Sequence, residues 1–541
     1  MKKVLMLTLL CLAMTSAFTQ SIKRPKLIVG IVIDQMRYDY LYKYYDRYDD
    51  KGGFKTLLNG GFSCENTFIP YIPTVTACGH SCIYTGSVPA INGITGNIWW
   101  DNDLKRSVYC TEDSTVHTIG TNTAAGLQSP RNLLTNTIGD ELKLATNFKS
   151  KVIGVALKDR GSILPAGHTG DAAYWYDGSA GKWITSDYYM KTFPDWVVAF
   201  NEKKLIDDYY KKGWRTLYPP DSYSESTKDI NAYEAKPLGS NSKGFPYDLA
   251  AFAGKNYSTV LSTPFGNTLT AEFAKQAVIS ENLGNDDITD LLAVSFSSPD
   301  YIGHAFGPNS IEVEDNYLRL DKDLGDFIRF LDDRVGKNEY LLFLSADHGV
   351  AHVPAFASEH HIPSGTLDVG SIKERLNNDL NEKMGKNNLI LSIANYQINL
   401  NPDAIKFDDN KMAEVKKVII DYLSKEPGIE RVIDLENLGG ATLNEKVKMM
   451  ISNGYNPHRS GQLQIILQPQ WMENYGNTGT THGNWNPYDS HIPLLWYGWG
   501  IGKGQSNREV YMTDIAPTIA GLLHIQMPNG SVGHVISEVA K

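Results

Sequence analysis

Three aspartates and three histidines stand where strand-like segments end or just beyond, with residue types that suit metal ions. Five of them close or follow the apolar runs KLIVGIVID, LLAVSFSSPDYIGH and YLLFLSADHG, which are rich in Val, Ile, Leu and Phe. Ligands of open α/β sheets collect at the carboxyl ends of strands, so we expect these side chains to converge. Carboxylates and imidazoles suit Zn²⁺, and three of each divide into two sites. The six candidates are Asp34, Asp300, His304, Asp347, His348 and His482.

The weight of this prediction lies in the combination of residues. Taken alone, an aspartate after a strand is usually a turn former or a helix cap. Other histidines near the same motifs, including His80 and His491, are interpreted as packing or supporting residues.

A threonine in the segment IPTVTACGHSCIYTGSVPA is the candidate nucleophile. Pro73 ends an extended approach, and the pattern predicts a short helix from Thr76 to Tyr84. Thr76 would lie near the helix N-terminus, where backbone N–H groups and the helix dipole favour an alkoxide or a phosphate. On local sequence alone an N-cap threonine is the favoured interpretation, and Thr74 competes for the nucleophile role.

Three further polar residues suit an anionic oxygen cluster. Lys158 and Arg160 stand two residues apart after a strand-like run in VALKDRGSILPAGH, so we expect both side chains to leave the same face. The compact ammonium group of a lysine beside the planar guanidinium of an arginine suits phosphoryl oxygens. Asn97, in ITGNIWWDN, offers an amide donor, although an Asn after Gly is usually a turn residue.

Together these motifs resemble the alkaline phosphatase superfamily and, within it, the phosphate-irrepressible (PafA-type) bacterial alkaline phosphatases, over nearly all of the mature chain. The resemblance implies an α/β fold with a central, mostly parallel sheet, helices on both faces and insertions over the active site. It also selects Thr76, in the PTxTxxGH context, over Thr74 as the nucleophile. By the same resemblance, one Zn²⁺ is surrounded by Asp34, Thr76, Asp347 and His348, a second by Asp300, His304 and His482, and the phosphoryl oxygens by Asn97, Lys158 and Arg160.

The resemblance implies hydrolysis of small-molecule phosphate monoesters with two Zn²⁺ per chain, through a covalent phosphothreonine on Thr76. The alternative is a phosphodiesterase or nucleotide pyrophosphatase of the same superfamily. Diesterase relatives generally lack the Lys-x-Arg pair, so Lys158 and Arg160 favour the monoesterase. Another possibility from a different class is a non-catalytic zinc-dependent protein that binds a phosphorylated ligand.

The first twenty residues predict a cleaved secretory signal peptide. Lys2 and Lys3 precede the apolar run VLMLTLLCLA, and small and polar residues continue to Gln20. No later run approaches the roughly 18 apolar residues that a membrane span needs. We therefore expect a periplasmic or secreted protein without a membrane span.

Four cysteines remain after this cleavage, namely Cys64, Cys78, Cys82 and Cys110. An even number of cysteines in an exported chain predicts two disulfides, with three possible pairings.

The charge of the mature chain limits which partners are expected, and the spread of the candidate ligands along it indicates how many domains it has. Removing Lys2 and Lys3 leaves 49 basic against 61 acidic residues, a formal charge of −12, which disfavours a nucleic-acid polymer as the main partner. Because the candidate ligands run from Asp34 to His482, we expect a single catalytic domain over residues 21–541, in a monomer. Insertions are expected near 165–265 and 355–480, and helices over 131–145 and 268–282.

Overall fold

The computed structural model describes residues 23–235, 244–405, 408–473 and 478–540. The predicted signal peptide, residues 1–20, lies outside these ranges. The described chain forms a mixed α/β fold with one eleven-stranded sheet and three smaller sheets. The predicted fold class is confirmed.

The strands, in chain order, are β1 (Leu27–Ile33), β2 (Phe62–Phe68), β3 (Ile98–Asp101), β4 (Arg106–Tyr109), β5 (Thr118–Ile119), β6 (Val152–Ala156), β7 (Ala172–Asp177), β8 (Lys182–Ser186), β9 (Asp290–Phe296), β10 (Tyr340–Ser345), β11 (Gly365–Leu367), β12 (Ile390–Ala394), β13 (Gln397–Leu400), β14 (Ile429–Asp434), β15 (Leu463–Leu467), β16 (Trp471–Glu473), β17 (His491–Ile492), β18 (Leu494–Gly498) and β19 (Gly504–Tyr511).

The α-helices are α1 (Tyr40–Lys43), α2 (Gly53–Gly60), α3 (Thr76–Thr85), α4 (Pro89–Asn92), α5 (Ile138–Ala145), α6 (Asp159–Ala166), α7 (Asp195–Glu202), α8 (Leu205–Lys212), α9 (Phe265–Ser280), α10 (Ser298–Phe306), α11 (Ile311–Leu331), α12 (Pro354–Glu359), α13 (Val369–Met384), α14 (Asp409–Leu423), α15 (Glu445–Gly454), α16 (Pro487–Ser490) and α17 (Ile515–Leu523).

The main sheet is parallel at its centre and antiparallel toward both edges. Its strand order is β17-β2-β18-β10-β1-β9-β6-β7-β8-β5, and β19 pairs with β2. The five central strands, from β10 to β7, are parallel. Val32 of β1 lies opposite Ser345 of β10 and Ser295 of β9, so the carboxyl ends of these strands are level.

The central strands are buried on both faces because helices cover the sheet. Every residue of β1, β9 and β10 is buried, which is the pattern of parallel strands between two helical layers. One large apolar cluster contains residues of these strands and of the long helix α11. The sheet edge that carries the candidate residues is therefore held by the core of the protein.

A separate four-stranded antiparallel sheet, in the order β12-β13-β15-β14, has its own apolar cluster with helices α13 and α14. It lies inside the range 355–480, and the assignment of that range as an insertion stays a prediction. Part of the range 165–265 forms β7 and β8 of the main sheet. In the described ranges we find no helix that is both long enough and apolar enough to cross a membrane.

Candidate metal centre and nucleophile

The carboxyl ends of four neighbouring parallel strands place candidate residues at one edge of the sheet. Asp34 directly follows β1, and its backbone N–H donates to the carbonyl of Phe296 at the end of β9 (3.0 Å). Lys158 follows β6, Asp300 lies in the first turn of the helix after β9, and Asp347 follows β10. The predicted convergence is thus what the structure shows.

Asp34, Asp347 and His348 form the first buried group. Their ligand atoms lie within 4.8 Å of one another. His348 Nε2 is 3.5 Å from Asp34 Oδ1 and 3.6 Å from Asp347 Oδ2. The turn after β10 delivers two of the three residues, and β1 delivers the third.

Asp300, His304 and His482 form the second group, with ligand atoms again within 4.8 Å of one another. Helix α10 presents Asp300 and His304 one turn apart, and His304 Nε2 is 3.2 Å from Asp300 Oδ1. His482 arrives from a loop far along the chain, with Nε2 3.6 Å from the same oxygen. Described residues thus make up two three-membered groups, as the sequence predicted.

The protonation of all three histidines is fixed by backbone carbonyls. The Nδ1 atoms of His304, His348 and His482 lie 2.8, 2.9 and 2.7 Å from the carbonyl oxygens of Thr480, Gly349 and Thr74. A carbonyl only accepts, so each Nδ1 carries a proton and each Nε2 is the ring atom left to face a metal ion. These Nε2 atoms are the ones that face the carboxylates.

The buried Asp34 and Asp347 carboxylates place negative charge where a divalent cation would stabilise it. Burial and the neighbouring Asp300 raise the pKa of Asp34 to about 6, although Lys158 opposes the shift. Burial and Asp34 together raise the pKa of Asp347 well above its ordinary value. Asp34 Oδ1 and Asp347 Oδ2 are buried and have no hydrogen-bond partner. Burial also lowers the pKa of His482 to about 3, which keeps this imidazole neutral and able to bind metal.

This donor set of buried carboxylate oxygens and imidazole nitrogens fits zinc. The Asp300 carboxyl differs from its neighbours: burial favours its neutral form, but His304 and Lys158 hold its pKa well below the ordinary value. It is therefore ionised and ready to bind a cation.

Thr76 is the first residue of α3 and is buried beside the first group. Its Oγ1 lies 3.4 Å from His348 Nε2 and 3.5 Å from Lys158 Nζ. The predicted helix, Thr76 to Tyr84, is confirmed with one extra residue. Thr74 instead donates its hydroxyl to the carbonyl of Asn484 (3.0 Å), which leaves Thr76 as the threonine that faces the site.

Asn97 lies beside the nucleophile helix, because its Oδ1 accepts from the backbone N–H of Ala77 (2.9 Å). Lys158 Nζ lies 2.7 Å from Asp34 Oδ2 and 2.5 Å from Asp300 Oδ2. Burial alone would lower the pKa of Lys158, but these two carboxylates raise it above its ordinary value. Its ammonium group is therefore charged.

Arg160 is held by a tyrosine that the sequence analysis did not single out. Its Nη1 donates to the hydroxyl of Tyr109 (3.1 Å), and that hydroxyl donates to Asp159 Oδ1 (2.6 Å). The expected strand alternation does not explain the pair, since β6 ends at Ala156 and both basic residues stand at the start of α6. Lys158 is the extended N-cap residue of α6, and Arg160 lies in the first turn of that helix.

All ten candidates are brought together, His80 has a supporting role as the sequence analysis interpreted it, and Gln35, like Tyr109, was not singled out. His80 donates from Nδ1 to the carbonyl of Thr76 (2.9 Å) and accepts at Nε2 from Ser295 Oγ (2.8 Å), which ties α3 to β9. Gln35 contacts Asp347 and Asp300. The one available signal for His80 was its spacing of four residues from Thr76 on a predicted helix, and Gln35 gave none.

The prediction of two disulfides is wrong, because Cys64, Cys78, Cys82 and Cys110 are all free and buried. Cys78 Sγ donates to the carbonyl of Ile94 (3.1 Å), and burial raises the pKa of every one of these thiols. Because thiolates are disfavoured in apolar surroundings, these cysteines serve as small packing residues.

The parallel sheet, the threonine at a helix N-terminus and the two carboxylate–imidazole groups define an α/β protein with a candidate two-metal centre. The chain belongs to the family described as Type I phosphodiesterase / nucleotide pyrophosphatase, in the alkaline phosphatase superfamily, with residues 28–489 matched.

Its relatives are similar over almost their whole length. The chain is 52% identical over 526 residues to "Alkaline phosphatase PhoV" of Synechococcus elongatus, covering 97% of this chain and 95% of the relative. It is 52% identical over 524 residues to a Myroides odoratus protein named "Calcium-transporting ATPase" (96% and 95%). It is 49% identical over 523 residues to "Alkaline phosphatase PafA" of Elizabethkingia meningoseptica (96% and 95%). The crystal structure of wild-type PafA superposes with a TM-score of 0.94 at 48% identity, covering 96% of this chain and 100% of that chain.

Proposed function

We propose that this protein is an exported, zinc-dependent alkaline phosphatase that hydrolyses small phosphate monoesters through a covalent phosphothreonine on Thr76. Two relatives named alkaline phosphatase, at 52% and 49% identity, support the activity. The observation that carries the proposal is the position of Thr76 Oγ1, 3.4 Å from His348 Nε2 and 3.5 Å from Lys158 Nζ. A buried hydroxyl beside His348 and Lys158 is placed to attack phosphorus.

The reaction has two halves. Thr76 Oγ forms a bond to phosphorus as the bond from phosphorus to the ester oxygen breaks, and the alcohol leaves. Water then cleaves the phosphothreonine and releases phosphate. The N-terminus of α3 favours the negative charge that develops at Thr76. Lys158 and Arg160 stabilise the non-bridging oxygens, and Asn97 donates from its amide NH₂.

The two metal ions would be held by the groups described above, one by Asp34, Asp347 and His348 and the other by Asp300, His304 and His482. Two Zn²⁺ ions, when bound, lower the pKa of the attacking hydroxyl or water and stabilise charge on the leaving oxygen. The residues fit this role because a cation would stabilise the buried Asp347 carboxylate, whose pKa is raised, and because the His482 imidazole is neutral.

The monoester preference rests on Lys158 and Arg160. A monoester dianion carries one charge more than a diester, so two cations beside Thr76 favour it. The family description names phosphodiesterases, which makes a diesterase the second candidate function. One relative is named an ATPase, so ATP is included among the test substrates. A non-catalytic binding protein is the remaining alternative. Measured turnover of a phosphate ester would exclude it.

We further propose that residues 1–20 direct export to the periplasm or beyond, and that the protein acts as a monomer on small molecules. Neither a nucleic-acid polymer nor a membrane is proposed as a partner. A mature N-terminus mapped on protein secreted from the native host tests the first point, and light scattering tests the second.

The nucleophile is tested by comparing Thr76→Ala with Thr74→Ala. Zinc-loaded enzyme is mixed with an aryl phosphate monoester and quenched in acid, and the phosphoryl group is located by peptide mass spectrometry. Wild type and Thr74→Ala should carry the group on Thr76. Thr76→Ala should bind zinc, carry no phosphoryl group and lose at least about 1000-fold in kcat. Near-normal turnover by Thr76→Ala, or a phosphoryl group on another residue, would overturn the proposal.

A further inference from the structure

Gln35 lies between the two candidate metal sites and bonds to one carboxylate of each. Its backbone N–H donates to Asp347 Oδ1 (3.1 Å), and its side-chain Nε2 donates to Asp300 Oδ1 (2.7 Å). The residue is 2% exposed. It directly follows Asp34, so the turn at the end of β1 supplies both a ligand and this link.

The backbone of Gln35 adopts a conformation that side-chain-bearing residues rarely take. Its φ is +67°, in the left-handed region where glycine is favoured. Such strain persists where the surroundings hold it, and it clusters at functional sites. A glycine would relieve the strain and keep the N–H bond to Asp347. What a glycine would lack is the side-chain amide that reaches Asp300.

The neighbouring helix α10 leaves space for that amide. A Cβ placed on Gly303 would lie 1.9 Å from Gln35 Oε1, so any larger residue there would displace the side chain. Glycine in a helix interior is less favourable than alanine. Gln35, with its strained backbone, therefore packs against Gly303, a residue type unfavourable in a helix. This contact leaves room for the Gln35 amide that bonds to Asp300.

The two hydrogen bonds of Gln35 differ in whether the oxygen they reach is the one that faces the other candidate ligands. Asp347 Oδ1 accepts from the N–H groups of both Gln35 and His348 (3.1 and 2.9 Å), which leaves Oδ2 turned toward the first group. Asp300 Oδ1 is the oxygen that faces His304 and His482, so the amide bonds to the ligand oxygen itself. A neutral donor orients that oxygen without competing with a cation.

We propose that Gln35 is a positioning residue for the metal site formed by Asp300, His304 and His482. This inference rests on the proposed two-metal phosphatase. Loss of the amide removes the hydrogen bond that orients Asp300 Oδ1, while Lys158 still contacts Oδ2 and the N–H bond that orients Asp347 stays. Supporting partners of metal ligands typically contribute 10- to 100-fold in metal affinity. We therefore expect one of the two sites to lose affinity and the other to keep it.

The test compares Gln35→Met with wild type and with Gln276→Met, a glutamine on α9 outside the site. Met has nearly the same length as Gln but no donor. Metal-free protein is titrated at buffered free Zn²⁺, and bound zinc is counted. Gln35→Met should bind its first equivalent as wild type does and need about 10- to 100-fold more free zinc for the second. Monoesterase kcat should return at saturating zinc, which a general packing defect would not allow.

A second variant, Gln35→Gly, keeps the inference testable if Gln35→Met folds poorly. Glycine suits the left-handed backbone and retains the N–H bond, so it should show the same selective loss of the second zinc. Two equivalents bound with wild-type affinity, or an equal loss at both sites, would overturn the role of Gln35. If wild type itself fails to bind two zinc ions, the proposed function fails instead, so the two failures are distinct.

Discussion

Lys158→Met should reduce hydrolysis of a phosphate monoester far more than hydrolysis of the matching diester. Lys158 Nζ lies 3.5 Å from Thr76 Oγ1, so phosphoryl oxygens two bonds beyond that oxygen come within about 4 Å of the ammonium group. At an effective dielectric constant of about 20, two unit charges at that distance interact by about 4 kcal/mol. The monoester carries one extra charge, spread over three oxygens. We expect its kcat/KM to fall about 10- to 1000-fold more than that of the diester.

The assay measures kcat/KM for an aryl phosphate monoester and the matching diester with zinc-saturated enzyme at alkaline pH. Lys182→Met, at a lysine of β8 that contacts Glu202, is the matched control. Zinc content must be checked by mass spectrometry, because Lys158 also contacts Asp34 and Asp300. Equal losses on both substrates would refute the role of Lys158 in discrimination. A wild-type preference for the diester, unchanged by the substitution, would place the protein among the phosphodiesterases.

Two further predictions concern residues around the site and in the core. Tyr109→Phe removes the hydroxyl that bonds to Arg160 and Asp159, and should lower monoester kcat/KM about 10-fold while leaving zinc content unchanged; unchanged kinetics would contradict this. Burial raises the pKa of Asp321 to about 6, so this carboxyl binds more protons in the folded state than in the unfolded state between about pH 4 and 6, and stability falls as pH rises through that window. In Asp321→Asn, the drop in unfolding free energy between pH 4 and 7, measured by urea titration in EDTA, should be about 2 kcal/mol smaller, and an equal drop in both proteins would argue against it.

The candidate ligands were predictable from the sequence because metal chemistry permits few residue types. Aspartate and histidine just beyond strongly apolar runs carry both the ligand type and the place where parallel strands end. Asp34, Asp300 and Asp347 satisfy both conditions, and the level strand ends of β1, β9 and β10 bring them together. His482 had a weaker signal, since it lies on a loop and depended on its resemblance to a family motif.

The boundaries of elements were less predictable, since local bonds compete with periodicity. The helix expected over 131–145 begins at Ile138, because Thr137 and Asp140 form a reciprocal cap there. That T-x-x-D signal was present in the sequence. The helix expected over 268–282 instead begins earlier, at Phe265, and ends at Ser280. The disulfide prediction failed for a different reason: cysteine number and an export signal say nothing about where each side chain points.

The residues that the sequence did not reveal share one property, which is that they act through other residues. Gln35 and Tyr109 have no chemistry of their own in phosphoryl transfer, and their value, like that of His80, lies in contacts with residues distant in the chain. Gln35 contacts Asp300 across 265 positions, and His80 contacts Ser295 across 215. Such contacts leave no local pattern, because many side chains can donate a hydrogen bond. A residue that takes part in the chemistry must be one of a few amino-acid types, which the sequence shows. A positioning residue need only lie in the right place, so a structure is needed to find the positioning residue.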